Sequence, residues 1–294
     1  MYNGIRLHPA VLLCYFLLVG VCTMLFLHPV CLAVSFLCAF LFYLFLKGRK
    51  ALSLFWKGLL PLMVLTAVLN PLFNHQGITI LTYFPSGNPL TLESVYYGLA
   101  AALLFGAILC WYACFSTLIT SDQVVCLLGW AAPSLALLLS MALGFVPRFR
   151  HQLQQVRQAR RGVGVTDKSR SVRSHVREAA GTVSVLITWA LEHGMILADG
   201  MKGRGYGLKG RSRFSLYIIT PRDILLLICI GLAAGGIIWG GCSGAFSAQY
   251  FPRFRWGISF RQSVFFVLYG MVCAAPLLAQ LWEVKQWKRI LSTS

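Results

Sequence analysis

Two arginines, each followed directly by a glycine, are the side chains of this 294-residue chain best suited to bind another molecule. Arg161-Gly162 and Arg204-Gly205 lie 43 residues apart, each at the end of a stretch with helical spacing. A guanidinium stays charged and can bind a carboxylate through two parallel hydrogen bonds. A glycine next to it can end a helix. Helix capping explains one such pair alone, but two pairs in one basic region favour a binding role.

Residues for catalysis, metal binding or cofactor binding are sparse. The chain has only eight Asp and Glu, and none stands in the middle of an apolar run. Its six histidines form no HxxxH or HExxH pattern, and its ten cysteines form no CxxC pair. The stretch GYGLKGRS (Gly205–Ser212) nearly matches a phosphate-binding loop, but it follows a helix instead of a strand. We therefore predict no enzyme activity, no metal and no cofactor.

The composition is that of a membrane protein. Of all residues 58% are hydrophobic and 12% are charged, against about 25% charged in a soluble domain. A helix needs roughly 20 apolar residues to cross a bilayer. Uncharged runs of about that length predict six spans, at 10–27, 29–46, 58–74, 97–119, 222–241 and 262–282. The expected fold class is an all-α polytopic membrane protein, with about six transmembrane helices and a cytoplasmic helical coupling domain.

The distribution of positive charge predicts the orientation. The net charge is +18, and fifteen of the 26 Lys and Arg residues fall within 148–222. A second basic block separates two apolar runs and consists of Lys47, Arg49, Lys50 and Lys57. The loop at 73–91 has neither Lys nor Arg. Because cytoplasmic loops are rich in Lys and Arg, both basic regions and both termini are expected inside and the 73–91 loop outside.

The apolar segment 125–147 is the exception to simple alternation. If it crossed the membrane, the whole basic region after it would lie outside, so we expect it not to cross and to be interrupted at Pro133. After it, one polar helix is predicted to end with Gly162 in the left-handed conformation, and a second helix to cover about 173–203. The predicted domains are four N-terminal transmembrane helices in 1–120, a cytoplasmic or interfacial coupling domain in 121–221, and two C-terminal transmembrane helices in 222–294.

Four stretches in a fixed order resemble one family. They are NPLFNHQG (from Asn70), TLESVYYG (from Thr91), FVPRFRHQLQQVRQARRG (to Gly162) and LADGMKGRGYG (to Gly207). Their order is similar to that in the transmembrane T component of energy-coupling factor (ECF) transporters, which includes cobalt-type relatives. The second basic stretch departs from the usual pattern, because Gly200 replaces an alanine and Gly203 precedes the arginine.

The resemblance implies a scaffold in the plasma membrane of a prokaryote. Its two X-Arg-Gly motifs would lie at the tips of coupling helices, dock into two cytoplasmic ABC-type ATPase subunits, and transmit motion to a small membrane S component that binds a vitamin or metal ion. Arg161, Gly162, Arg204 and Gly205 match these motifs. Both Arg160 and Arg161 could be the first anchor, although adjacency to Gly162 favours Arg161.

Two other functions remain open at the level of sequence. A self-sufficient permease would carry polar or charged residues inside its spans, and few are present. A membrane-tethered binder of nucleic acid or anionic lipid would use the basic region for salt-dependent binding. Few aromatic side chains interrupt that region, which does not favour nucleic acid as a partner. The transported substrate is not readable from this chain.

Overall fold

The chain is an all-α polytopic membrane protein with one short β-hairpin. The computed structural model describes residues 7–83, 89–164, 171–208, 217–252 and 259–293. The helices are α1 (Pro9–Leu25), α2 (Pro29–Lys47), α3 (Arg49–Leu54), α4 (Leu60–Phe73), α5 (Leu92–Leu118), α6 (Ser121–Ala131), α7 (Pro133–Gly162), α8 (Val172–Gly203), α9 (Pro221–Cys242) and α10 (Phe260–Thr293). A π-helix at Phe55–Leu59 joins α3 to α4. Strands β1 (Ile80–Tyr83) and β2 (Pro89–Thr91) pair antiparallel.

The chain divides into two compact units. The membrane unit consists of residues 1–121 and 217–294, and the second unit consists of residues 122–216. In the membrane unit, α5 packs on α2 and α4, while α10 packs on α2 and α9. The assignment of functions to domains 1–120, 121–221 and 222–294 stays a prediction.

Six described helical segments are long and apolar enough to cross a membrane. They are Pro29–Lys47, Arg49–Phe73, Leu92–Leu118, His175–Gly203, Pro221–Cys242 and Phe260–Leu281. Two helices depart from the expected spans: α1 was expected to be a span and is not in this set, whereas α8 is in the set and was not expected there. Helix α1 has 17 residues, slightly fewer than the usual 20 or so. Helix α8 was expected only in the coupling domain, but its segment His175–Gly203 is long and apolar enough to cross a membrane.

A buried polar cluster joins four helices of the membrane unit. Thr23 of α1 donates a hydrogen bond to the Val19 carbonyl (2.7 Å), so its oxygen can accept from Ser35 of α2 and Tyr269 of α10, each 3.0 Å away. Trp111 of α5 donates to the Ser35 hydroxyl at 2.9 Å. All four side chains are almost fully buried. Because polar groups in a bilayer have no water to bind, this cluster fixes how the four helices pack.

The expected interruption at Pro133 is present. Helix α6 ends at Ala131 and α7 begins at Pro133, whose missing amide hydrogen is tolerated in a first helical turn. Helix α7 then continues to Gly162, and α8 begins at Val172, close to the predicted start at 173. Whether 125–147 crosses the membrane stays a prediction.

Candidate functional site

Helices α7 and α8 form an antiparallel hairpin in the second unit. The Phe149 and Trp189 rings lie edge to face at 5.5 Å. The Phe145 ring, one turn earlier in α7, lies 6.2 Å from His193, one turn later in α8. Trp189 and His193 also stack on each other, with ring centres 5.0 Å apart. Contacts that move backwards along α7 as they move forwards along α8 are those of two antiparallel helices. The aromatic side chains therefore hold the middle of the hairpin in one register.

Arg160 is fixed between the two helices. Its Nη1 donates hydrogen bonds to the Glu178 carbonyl and to the Thr182 hydroxyl, both at 3.1 Å. Thr182 is buried, and the space beside Gly181 is filled by the guanidinium, since a Cβ there would lie 2.6 Å from Nη1. The side chain of Arg160 is thus used inside the hairpin. Arg161, the neighbour that adjacency to Gly162 favours as the anchor, takes no part in this contact, and its role as an anchor stays a prediction.

Arg161 and Arg204 are both exposed to solvent. Among the residues that the structure describes, neither guanidinium has a hydrogen bond or an ion pair. A guanidinium carries five donors in a fixed plane, and within the described residues none of these donors is used in either arginine. The structure thus presents both predicted arginines as exposed cations on the surface of the second unit.

The ends of the two helices are built alike, but the Arg-Gly pairs occupy different positions in them. After α8, Tyr206 N–H donates to the Met201 carbonyl (3.1 Å) and Gly205 N–H donates to the Lys202 carbonyl (3.0 Å). These are the two bonds of a Schellman cap, with Gly205 left-handed at φ +80°. Arg204 is therefore the cap residue itself.

After α7, the left-handed residue is Gly164 and not Gly162. Gly164 has φ +73° and its N–H donates to the Arg161 carbonyl at 3.2 Å. The prediction that Gly162 adopts this conformation was wrong, because a second glycine two residues later allows the helix to continue through Gly162. Arg161 consequently lies in the last helical turn. Counted from the cap, its equivalent in α8 is Lys202, an exposed cation that the sequence motif did not single out.

The two arginines lie at opposite ends of the hairpin. Arg160 contacts the first turns of α8, at Glu178 and Thr182, so its neighbour Arg161 is also near that end. Arg204 follows the last residue of the same helix. At 1.5 Å per residue, the stretch of α8 from Glu178 to Arg204 is about 39 Å long. Both helix ends carry partial negative charge, which a neighbouring cation offsets.

The two non-basic motif stretches meet at one end of the membrane unit. Thr91, which caps α5, donates to the Gln76 carbonyl at 2.8 Å, and Ser94 donates to the Asn74 carbonyl at 2.6 Å. The buried carboxylate of Glu93 accepts from the Thr79 hydroxyl at 2.9 Å and from the Thr79 amide. NPLFNHQG and TLESVYYG therefore form a structural clasp: residues 74–79 are held against the first turn of α5.

Comparison with known proteins shows that the part of the chain containing the hairpin and the clasp is similar to one family. Residues 5–216 match the CbiQ family, described as cobalt transport protein. The energy-coupling factor transporter transmembrane protein EcfT of Listeria innocua serovar 6a is 27% identical over 218 residues, which are 68% of this chain and 80% of that protein. The protein of the same name from Exiguobacterium sibiricum is 26% identical over 218 residues, 67% of this chain and 81% of its own length. The matched region includes both Arg-Gly pairs and the clasp.

Proposed function

The chain belongs to the CbiQ cobalt transport protein family, and from this we propose that it is the transmembrane T component of an ECF-type importer. It would couple ATP hydrolysis by two ABC-type ATPase subunits to the movement of a small S component that binds a vitamin or metal ion. The chain itself would be non-catalytic and hold no cofactor. The second unit and both termini would face the cytoplasm of a prokaryote.

The observation that carries this proposal is the pair of exposed arginines at opposite ends of the α7–α8 hairpin. Two ATPase subunits need two separate attachment points, and a length of about 39 Å along α8 separates the ends. A carboxylate-lined groove on each subunit would accept the planar guanidinium through two hydrogen bonds. Arg160 and the aromatic contacts brace the hairpin, so motion applied at one end would reach the other.

An exposed apolar stripe on α8 supports the S component as the second partner. Val183, Ile187, Leu191 and Met195 follow one another at four-residue spacing and are between 51% and 66% exposed within this chain. Residues four apart share one face of a helix. A continuous apolar face of this kind is suited to another membrane protein, and it lies on the helix whose two ends are near the two arginines. Movement of the tips would thus be transmitted to whatever covers the stripe.

Purification from the native membrane tests the partnership. A tagged full-length chain, extracted in mild detergent, is expected to retain two ATPase subunits and one small hydrophobic protein, identified by mass spectrometry of the intact complex. A chain that transports substrate as a homo-oligomer without ATPases would contradict the proposal and favour a self-sufficient permease. Salt-sensitive recovery of nucleic acid in place of ATPases would instead favour the polybasic binder.

A further inference from the structure

A groove lined by lysines lies at the turn between α2 and α3. It has a volume of about 420 Å³ and is lined in part by Lys47, Lys50, Ser53 and Lys57. The chain can turn sharply here because Gly48, between the two helices, has φ +56°. This turn brings Lys47, at the end of α2, to the same groove as Lys50 of α3 and Lys57 of the π-helix that follows it. Lys47 Nζ also lies over the Tyr43 ring at 5.8 Å.

The groove lies where lipid headgroups must be. One candidate span ends at Lys47 and the next begins at Arg49, so the turn between them is at a membrane surface. The second of these segments has 25 residues, or about 37 Å of helix, whereas the hydrocarbon core is roughly 30 Å thick. Its first turns therefore project into the headgroup region. The exposed Trp56 next to Lys57 is a typical residue of that interface.

The positive charge of the groove is not neutralised by the protein. Lys47, Lys50 and Lys57 make no ion pair with any residue in the described part of the chain. Two carboxylates of the membrane unit are engaged elsewhere: Glu93 binds Thr79, and Asp223 binds Thr220. The described lining of this groove thus has three ammonium groups and a hydroxyl but no carboxylate. Such a concentration of positive charge attracts an external anion.

An apolar groove begins at the same turn. It has a volume of about 530 Å³ and is lined by Leu41, Leu44, Phe45, Leu52 and Leu277, together with Gly48 and Arg49. Lysines next to an apolar groove at headgroup level match a molecule with a phosphate and an acyl chain. We propose that this corner of the membrane unit binds an anionic glycerophospholipid, with Lys47, Lys50 and Lys57 around its phosphate. The lining of this site includes none of the residues proposed above for the ATPase and S-component contacts.

Lipid titration of the purified full-length chain tests this site. Native mass spectrometry would measure the affinity for phosphatidylglycerol and for phosphatidylcholine with identical acyl chains. The wild type is expected to prefer phosphatidylglycerol at least tenfold, since each lysine near the headgroups is worth about fivefold. The triple variant Lys47→Gln, Lys50→Gln, Lys57→Gln is expected to lose this preference. Lys57→Gln alone should lower it about fivefold, which keeps the test available if the triple variant does not fold.

The matched control removes the same charge elsewhere. Arg150, Arg157 and Arg177 are exposed in the second unit, and changing all three to Gln should leave the preference for phosphatidylglycerol intact. The proposal fails if the lysine variants keep the preference, or if the control loses it equally. It also fails if millimolar inorganic phosphate or an oligonucleotide displaces the lipid, because the groove would then be a free-phosphate or nucleic-acid site.

Discussion

Replacing Arg161 and Arg204 together by Glu is expected to abolish energy-dependent uptake while the chain still folds and inserts. If each guanidinium fills an acidic groove, the substitution removes a paired charge and sets like charges against each other. Loss of one partner of such a buried pair costs about 2–5 kcal/mol. At two contacts, that loss is sufficient to separate the ATPases from the scaffold. The measurement is substrate uptake and ATPase recovery, both normalised to the amount of chain in the membrane.

Single substitutions and a charge-matched control show whether the loss of uptake comes from a lost contact with the ATPases. Arg161→Lys and Arg204→Lys should each retain part of the activity, because an ammonium lacks the planar two-pronged fit. Arg150→Glu with Arg157→Glu makes the same charge change on the exposed surface of α7 and should leave uptake near normal. If the two motif arginines only offset the charge of helix ends, each is worth about 0.3–1 kcal/mol. Near-normal uptake and assembly in the double-Glu variant would establish that weaker role.

Gly77→Ala is expected to open the clasp at the start of α5 and to lower the stability of the membrane unit by about 2 kcal/mol or more. Gly77 has φ +141°, a conformation that costs other residues about 1–3 kcal/mol. A Cβ there would also lie 2.6 Å from Oε2 of Glu93 and 2.9 Å from the Cβ of Thr91. Because both neighbours are buried and hydrogen-bonded, they cannot move without breaking the bonds that hold residues 74–79.

The same chemical change at Gly20 provides the control. Gly20 lies within α1, and a Cβ there would meet no atom within 4 Å. Since alanine is favoured over glycine in a helix by about 1 kcal/mol, Gly20→Ala should leave stability unchanged or raise it. Thermal unfolding in detergent, followed by cysteine accessibility, compares the two variants. Equal midpoints for Gly77→Ala and the wild type would show that the clasp does not limit stability.

Much of the helical architecture was predictable because apolar runs, glycines and prolines act locally. The interruption at Pro133 and the helix over 172–203 follow from patterns within a few residues. The role of Arg160 could not be predicted, because its partners belong to the next helix and become visible only when α7 and α8 pack. The choice between Gly162 and Gly164 was also hidden, since either glycine can adopt the left-handed conformation.

In the membrane unit, the clasp likewise combines a feature that the local sequence predicts with contacts that it does not. The Thr91 cap of α5 was readable from the sequence, because a threonine before a helix accepts from an amide in the first turn. That Thr91, Glu93 and Ser94 also hold residues 74–79 depends on contacts across a hairpin. Similarly, the four-residue spacing of Val183, Ile187, Leu191 and Met195 is visible in the sequence, but whether protein or lipid covers this stripe is not. Local signals thus predicted the elements better than their partners.

Site-specific photo-cross-linking at the two ends of the hairpin tests the central claim most directly. A photoreactive residue at Val163 or at Leu208, both more than 70% exposed, leaves Arg161 and Arg204 in place. Each position is expected to cross-link an ATPase subunit, and both together should give a product with two ATPase subunits on one chain. Ile187, in the middle of α8, should cross-link no ATPase. Cross-linking to an ATPase at neither end, or equally at Ile187, would contradict the assignment of these ends as ATPase contacts.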